Sequence, residues 1–269
     1  SSDWRPIRLR EGVICNGKMV FCDGEDVLEE RKDEALALVK DTLSNKAQIL
    51  IFENSRRNAE SAALKLCNLI PGEPELEALS ESVLATGESE TAHRLANCVA
   101  RGVAFHHAGL LPEQRRLVEQ GFRENKIKII ASTPTLAAGL NLPARRVLIK
   151  SYKRYEYGQG MTPIPVIEYR QMAGRAGRPG LDPYGESFLM AKNDSEMQEL
   201  MEHYIHGTPE EIWSKLASES ALRTHLLSTI AAKFVRSEEE LKAFIGTTFY
   251  AQQQDPWHLD TTLERVIAF

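Results

Sequence analysis

Residues 171–180, QMAGRAGRPG, set Gln171, Arg175 and Arg178 on a frame of small residues, with Gly174 and Gly177 between them. Arginine is always charged, and its planar fork matches phosphate oxygens. Small neighbours let a partner approach the backbone and leave the guanidiniums exposed. Two arginines three residues apart share a face of a helical turn, so both can reach one polyphosphate. That is the chemistry of an arginine finger, which stabilises charge on a transferring phosphoryl group. A bare GRxGR equally fits a solvated basic helix start, so its surroundings must decide.

Other blocks hold residue types suited to a phosphate backbone. ILIFENSRRNAE, ending at Glu60, places Asn54, Ser55, Arg56 and Arg57 behind an apolar run at a helix start. Free backbone N–H groups and the helix dipole favour an anion there, and Asn54 or Ser55 can cap the helix. ASTPTLAAGLNLPARRVLI (131–149) sets the hydroxyls of Ser132 and Thr133 between a buried strand and a helix opened by Pro134. They suit one phosphate of a bound strand, although Thr133 also fits a simple N-cap. His106 and His107 in FHHAGLLPEQRRLVEQGFR (105–123) lack a third ligand at metal spacing, which argues against zinc. Adjacent strand residues point to opposite faces, so at most one of the two is expected to be buried. Arg115 and Arg116 on the following helix read as surface residues.

Between these blocks lies KSYKRYEYGQGMTPIPVIEY (150–169). Its Gly158-Gln159-Gly160 predicts a hairpin, and Pro163 and Pro165 restrict it to an edge or exposed ribbon. Tyr155, Tyr157 and Met161 give it stacking surface beside lysines and arginines. The chain is net −5, yet residues 145–178 carry eight Lys and Arg against two Glu, leaving that segment +6 and the remainder −11. A basic zone on an acidic protein fits a groove that tracks phosphates.

The elements that must position these residues alternate. Apolar runs at 48–52, 102–106, 127–131, 146–150 and 185–191 predict strands, separated by helices at 25–44, from residue 54 or 55, near 75–84 and 89–100, and after Pro112. Such alternation implies a parallel sheet with right-handed crossovers, an α/β fold. Asn16-Gly17 predicts a two-residue hairpin that sets Cys15 opposite Lys18, not Cys22. The four cysteines have no metal spacing and read as reduced and structural. From about residue 194 only helices are expected, opening at Thr208, Ser220 and Ser237. No apolar run reaches the 18 or more residues of a membrane-spanning helix, so no membrane partner is expected.

In this order the blocks resemble motifs four to six of the Ski-like superfamily-two helicases, in the branch of the archaeal fork-repair DNA helicases and the polymerase-theta helicase. DWRP (3–6) and SKLASESALRTHLL (214–227) extend the resemblance over nearly the whole chain. It implies a second RecA-like motor domain over 1–200, with a β-hairpin at about 150–169, then an incomplete winged-helix-like domain over 201–269. It implies an ATP-dependent 3′–5′ DNA helicase acting in repair or fork processing. Arg175 and Arg178 would face the γ-phosphate, Gln171 would order the site, and Gly139 and Asn141 would close on the nucleotide. Asn54, Ser55, Arg56, Ser132 and Thr133 would hold the strand, while Tyr155, Tyr157 and Met161 would separate it from its complement. No GxxxxGK[ST] loop and no DExH or DExD occurs in the sequence. ATP and Mg²⁺ are therefore expected to be bound mainly by a preceding first RecA-like domain, a partner beside single-stranded and forked DNA. A monomer is expected, cytoplasmic at the nucleoid if archaeal and nuclear if eukaryotic, with no metal of its own. Two alternatives stay open: an RNA helicase of the Ski or Brr kind, and a non-catalytic RecA-like interaction module.

Overall fold

The computed structural model describes residues 5–28, 33–72, 74–135, 137, 142–156, 158 and 160–267. The chain divides into two compact units, Ser1–Pro209 and Glu210–Phe269.

Short apolar runs build the first unit. Strands β4 (Ile49–Phe52), β5 (Val103–His106), β6 (Ile129–Ser132) and β7 (Arg146–Ile149) are buried along their whole length. Alternate side chains point to opposite faces, so both faces of the sheet are covered, as parallel sheets require. With β1 (Leu9–Cys15), β2 (Lys18–Phe21), β3 (Gly24–Val27) and β10 (Gly185–Met190) they form an eight-stranded sheet of order β3-β2-β1-β10-β7-β4-β6-β5. Six strands run parallel, and β2 and β3 add an antiparallel fringe to β1. The covering helices are α1 (Glu34–Ser44), α2 (Arg56–Cys67), α3 (Glu77–Leu84), α4 (Glu90–Val99), α5 (Pro112–Arg123), α6 (Val166–Ala173) and α7 (Asp194–Leu200). The α/β architecture read from the sequence is the one observed.

The Asn16-Gly17 turn joins β1 to β2, with φ of 52° and 76° at its two residues and Cys15 paired to Lys18. Positive φ at both positions matches the twist of the strands, and glycine adopts it without penalty. The helix expected over 25–44 is shorter. Residues 24–27 instead continue the hairpin as β3, and α1 starts after Asp33, whose carboxylate caps Leu36 N–H at 3.1 Å. Leu28 is buried by the strand that leads into this segment, not by a helix. Charged residues at helical spacing gave the longer reading, and strand pairing overrides so weak a propensity.

The second unit holds α8 (Glu219–Ala231), α9 (Glu238–Gly246), α10 (Phe249–Gln252) and α11 (Pro256–Ile267). Ser218, Ser237 and Thr248 cap the first three. Leu222, Leu226, Leu241, Ile245, Tyr250 and Leu263 form a separate core. No helix opens at Thr208. Residues 208–214 have no regular structure, and Ile212 and Trp213 stay exposed. Good capping residues cannot hold a helix that buries no apolar face.

Candidate nucleotide and nucleic-acid sites

Because β4, β6 and β7 are parallel, their C-terminal ends reach one edge of the sheet. That edge is where α/β proteins place their ligands. Ser55 follows β4 with extended φ and ψ, and its Oγ accepts Asn58 N–H at 3.2 Å, so it is the N-cap of α2. Asn54 does other work. Its Nδ2 donates to the Lys153 carbonyl at 3.0 Å, and its Oδ1 accepts from Asn58 Nδ2 at 2.8 Å. Arg56 is exposed on the first turn of α2, near the loop at Gly109. At the end of β6, Ser132 is buried, with its hydroxyl on the Thr133 carbonyl at 3.3 Å. The half-buried Thr133 is thus the hydroxyl that faces outward, sharing a 2.8 Å hydrogen bond with Thr135. Gly139 and Asn141 lie outside the described residues.

Thr133, Asn54 and Gln171 line one cleft of about 520 Å³, with Ser151, Arg154 and Glu168 on its other walls. Three separate sequence blocks therefore meet at one place. Above it stands a two-stranded ribbon, β8 (Lys153–Glu156) against β9 (Gly160–Pro163). Arg154 anchors the ribbon to α6 through its ion pair with Glu168 and pairs with Glu156 within the ribbon. Tyr155 and Met161 pair directly across it and are 71% and 56% exposed. Tyr157 lies outside the described residues.

Arg175 and Arg178 do not share a helical face. Helix α6 ends at Ala173 with Gly174 as its C-cap, and Ala176 then bridges to Ala144. Gly177 follows at φ +96°, where an added Cβ would lie 2.8 Å from Ile7 Cγ2 and 3.2 Å from the Gly185 backbone. A helix cannot continue through that conformation, so the face expected from the spacing is never built. Nor are the guanidiniums exposed. Arg175 donates from Nε, at 3.0 Å, and from Nη2 to the Ala137 carbonyl, and burial pushes its pKa down. Arg178 reaches Asp182 and Gln48 and lines a separate cavity of about 450 Å³ with Lys46, Arg145, Arg146 and Tyr184. Gln171 is on the ribbon side and Arg178 beside Gln48, which precedes β4. The cavity next to Arg178 is braced from inside. Buried Glu186 accepts Arg146 Nε at 2.7 Å and Arg10 Nη1 at 3.3 Å, and Arg145 lies over the Tyr184 ring at 3.9 Å.

Both histidines are buried, against the expectation for neighbours on a strand. The sheet is covered on both sides, and each ring finds a carboxylate on its own side. His106 Nε2 lies 3.1 Å from Glu119 Oε1, and His107 Nε2 lies 3.0 Å from Glu60 Oε1. Gly109 N–H donates to His107 Nδ1 at 3.1 Å, which leaves the proton on Nε2 to donate to Glu60. Burial lowers both pKa values against the opposing pull of the carboxylates.

Sequence reasoning missed Asp182 and Glu53. Asp182 stands four residues after Arg178, a spacing that could have flagged it. Glu53 is buried and takes Lys150 Nζ at 2.9 Å and Ser151 Oγ at 3.2 Å, holding the start of the ribbon to the end of β4. Nothing in the local sequence signals that role.

A mainly parallel, helix-covered sheet with a polar cleft at its strand ends and an arginine turn after α6 defines a RecA-like α/β domain. The chain belongs to the helicase conserved C-terminal domain family, which matches residues 31–180. It is 51% identical over its full length to the ATP-dependent DNA helicase Hel308 of Methanocella arvoryzae, of which it covers 37%. It is 43% identical over 92% of its length to the ATP-dependent DNA helicase Hel308 of Caldivirga maquilingensis, covering 34% of that protein. To the protein of that name from Pyrobaculum calidifontis it is 45% identical over 94% of its length, covering 36%. The chain thus spans little more than a third of the length of these relatives.

Proposed function

We propose that this chain is the second motor domain, with the segment that follows it, of an ATP-dependent 3′–5′ DNA helicase. The observation that carries the reading is the bond from Arg175 to the Ala137 carbonyl. It ties the arginine turn to the segment whose other end presents Thr133 to the cleft. A change at a nucleotide beside Arg175 would therefore be felt at a strand lying on Thr133 and Asn54.

The residues fit a polyphosphate. Arg175 is charged, half-buried and disfavoured by that burial, so an anion beside it would offset its desolvation. Arg178 is preset by its neighbours. ATP held by a preceding phosphate-loop domain with Mg²⁺ would supply the phosphoryl group, while this chain supplies Arg175 and Arg178 as stabilising charges and Gln171 as an ordering group. Thr133, Ser55, Arg56 and Asn54 are assigned to the strand backbone, and Tyr155 and Met161 to duplex separation. The substrate is single-stranded and forked DNA, the setting the cytoplasm at the nucleoid, and the working form a monomer. The winged-helix-like domain expected over 201–269 is read as beginning with the second compact unit, Glu210–Phe269, supported by that unit's own core.

The test is DNA-stimulated ATP turnover by a polypeptide joining this chain to its phosphate-loop domain. Arg175→Ala should lower turnover roughly 10³-fold, the usual worth of an arginine finger, with strand affinity nearly unchanged. Wild-type turnover in that variant would overturn the reading.

A further inference from the structure

The ribbon has two faces, and each overlooks a different cleft. Arg154, Glu156 and Thr162 alternate with Lys153, Tyr155, Met161 and Pro163 along the paired strands, so the two sets point to opposite sides. Arg154 lines the cleft that holds Thr133 and Gln171. Lys153 and Met161 line a second cleft, of about 770 Å³, on the far side. The two clefts meet only at the ribbon's root, where both are lined by Asn54 and Ser151. Asn54 braces that root through its bond to the Lys153 carbonyl at 3.0 Å.

The second cleft carries lysines beside aromatic and apolar surface. Lys150 and Lys153 reach it from the connection between β7 and β8 and the first residue of β8, and Lys192 from the segment after β10, with Lys150 already paired to buried Glu53 at 2.9 Å. Its two carboxylates are already engaged inside the protein: Glu34 accepts Gly17 N–H at 2.5 Å, and Glu196 accepts the Tyr152 hydroxyl and Lys192 N–H. The Tyr152 ring also lines the cleft, beside Lys153 Nζ at 5.1 Å, and Met161 adds an apolar wall. Cations in a groove with aromatic and apolar surface are what an unpaired strand needs for its phosphates and its exposed bases.

We infer that this second cleft receives the displaced strand. It rests on the helicase reading, in which the ribbon is the divider: the tracking strand lies on the Thr133 side, and its separated complement passes over Lys153 and Lys192. A strand held on each side cannot re-pair across the ribbon, so each opened base pair is kept open.

The test is equilibrium binding of this chain to two DNA molecules over a range of salt. One is a fork with both arms; the other has the same duplex and 3′ arm but no 5′ arm. Lys153 and Lys192 are both exposed, so Lys153→Gln with Lys192→Gln removes two charges without opening the core. Each phosphate contact on a single strand contributes about 0.7 to the slope of log affinity against log salt. The double variant should therefore lose about 1.4 from the slope on the fork and nothing on the molecule lacking the 5′ arm. Equal loss on both would place the tracking strand in this cleft and overturn the inference, as would no loss on either. Thr133→Ala is the control for the underlying reading and should weaken both molecules alike. If the wild-type chain binds neither DNA, or Thr133→Ala changes nothing, the helicase reading fails and takes this inference with it.

Discussion

Arg178 and Asp182 form a two-pronged ion pair across one turn, Nε to Oδ2 at 2.8 Å and Nη2 to Oδ1 at 2.7 Å. Nη1 goes to Gln48 Oε1 at 2.8 Å, and the backbone N–H of Arg178 also donates to Asp182. An arginine held in this way has lost its rotamer freedom at folding, before any ligand arrives, which makes the charge cheaper to use.

Asp182 is thus a positioning residue, and Asp182→Asn tests it. The side chain is only 5% exposed, so weakening its charged hydrogen bonds should cost about 1.5–3 kcal/mol of stability. ATP turnover in the joined polypeptide should fall, but less than the roughly 10³-fold expected for Arg178→Ala. Thermal unfolding and turnover measured together check this; wild-type values in both would remove Asp182 from the mechanism.

The ribbon makes a different demand. Tyr155 and Met161 are exposed partners, so replacing both with alanine should alter stability by no more than about 0.5 kcal/mol per site. Strand displacement should weaken markedly, because base–aromatic stacking of about 1–3 kcal/mol is comparable to opening one base-pair step. ATP turnover and single-strand binding should persist. Undiminished strand displacement would reduce the ribbon to a connector.

The two buried histidines make stability fall in mild acid. Their pKa values are lowered in the folded protein, by burial first, from an unfolded value of about 6.5. Above that pH both states hold them neutral. Below it the unfolded chain takes up protons first, so stability declines as pH drops from about 6.5 toward the folded values. Protonating His107 also removes the Nδ1 acceptor of Gly109 N–H. Urea midpoints measured between about pH 5 and 8 should show the decline, and His107→Gln should flatten part of it. A flat profile in the wild type would mean that the rings are protonated without penalty.

Glu186 is the hub of the arginine cluster beside β7. Its side chain is 3% exposed and faces Arg10, Arg145 and Arg146. Glu186→Gln leaves three partly buried cations with one fewer counter-charge, which should cost about 3–5 kcal/mol. Denaturant unfolding should show a lower midpoint with an unchanged slope. A shift under about 0.5 kcal/mol would mean that the arginines turn out to solvent.

Strands β4, β5, β6 and β7 were legible because short apolar runs between turn signals have few other uses in a chain of alternating elements. The Asn16-Gly17 turn was legible because both of its residues need positive φ. Residues 24–27 were not, since their fate depends on pairing with β2, a partner outside any local window. The histidines failed for the same reason: whether a strand face is buried depends on helices distant in sequence. In the arginine turn the residue types were readable and their geometry was not. After α6 ends at Ala173 the chain turns through Gly177 at positive φ, where Ile7 and Gly185 leave no room for a side chain, contacts that no spacing rule contains.

The short fringe strand β3 has a bearing on the protein's behaviour at high concentration. An unpaired strand edge offers a row of N–H and C=O groups to any extended peptide, and two such edges can zip molecules into fibrils. Here that edge is four residues long, fully exposed, and carries Glu25 and Asp26 beside Asp23. These carboxylates are paired with Arg8, Arg10 and Lys18, so a second copy would have to displace solvated ion pairs to reach the backbone groups. A short edge covered with charged side chains is one of the devices by which sheets resist edge-to-edge pairing, and this side of the sheet carries it.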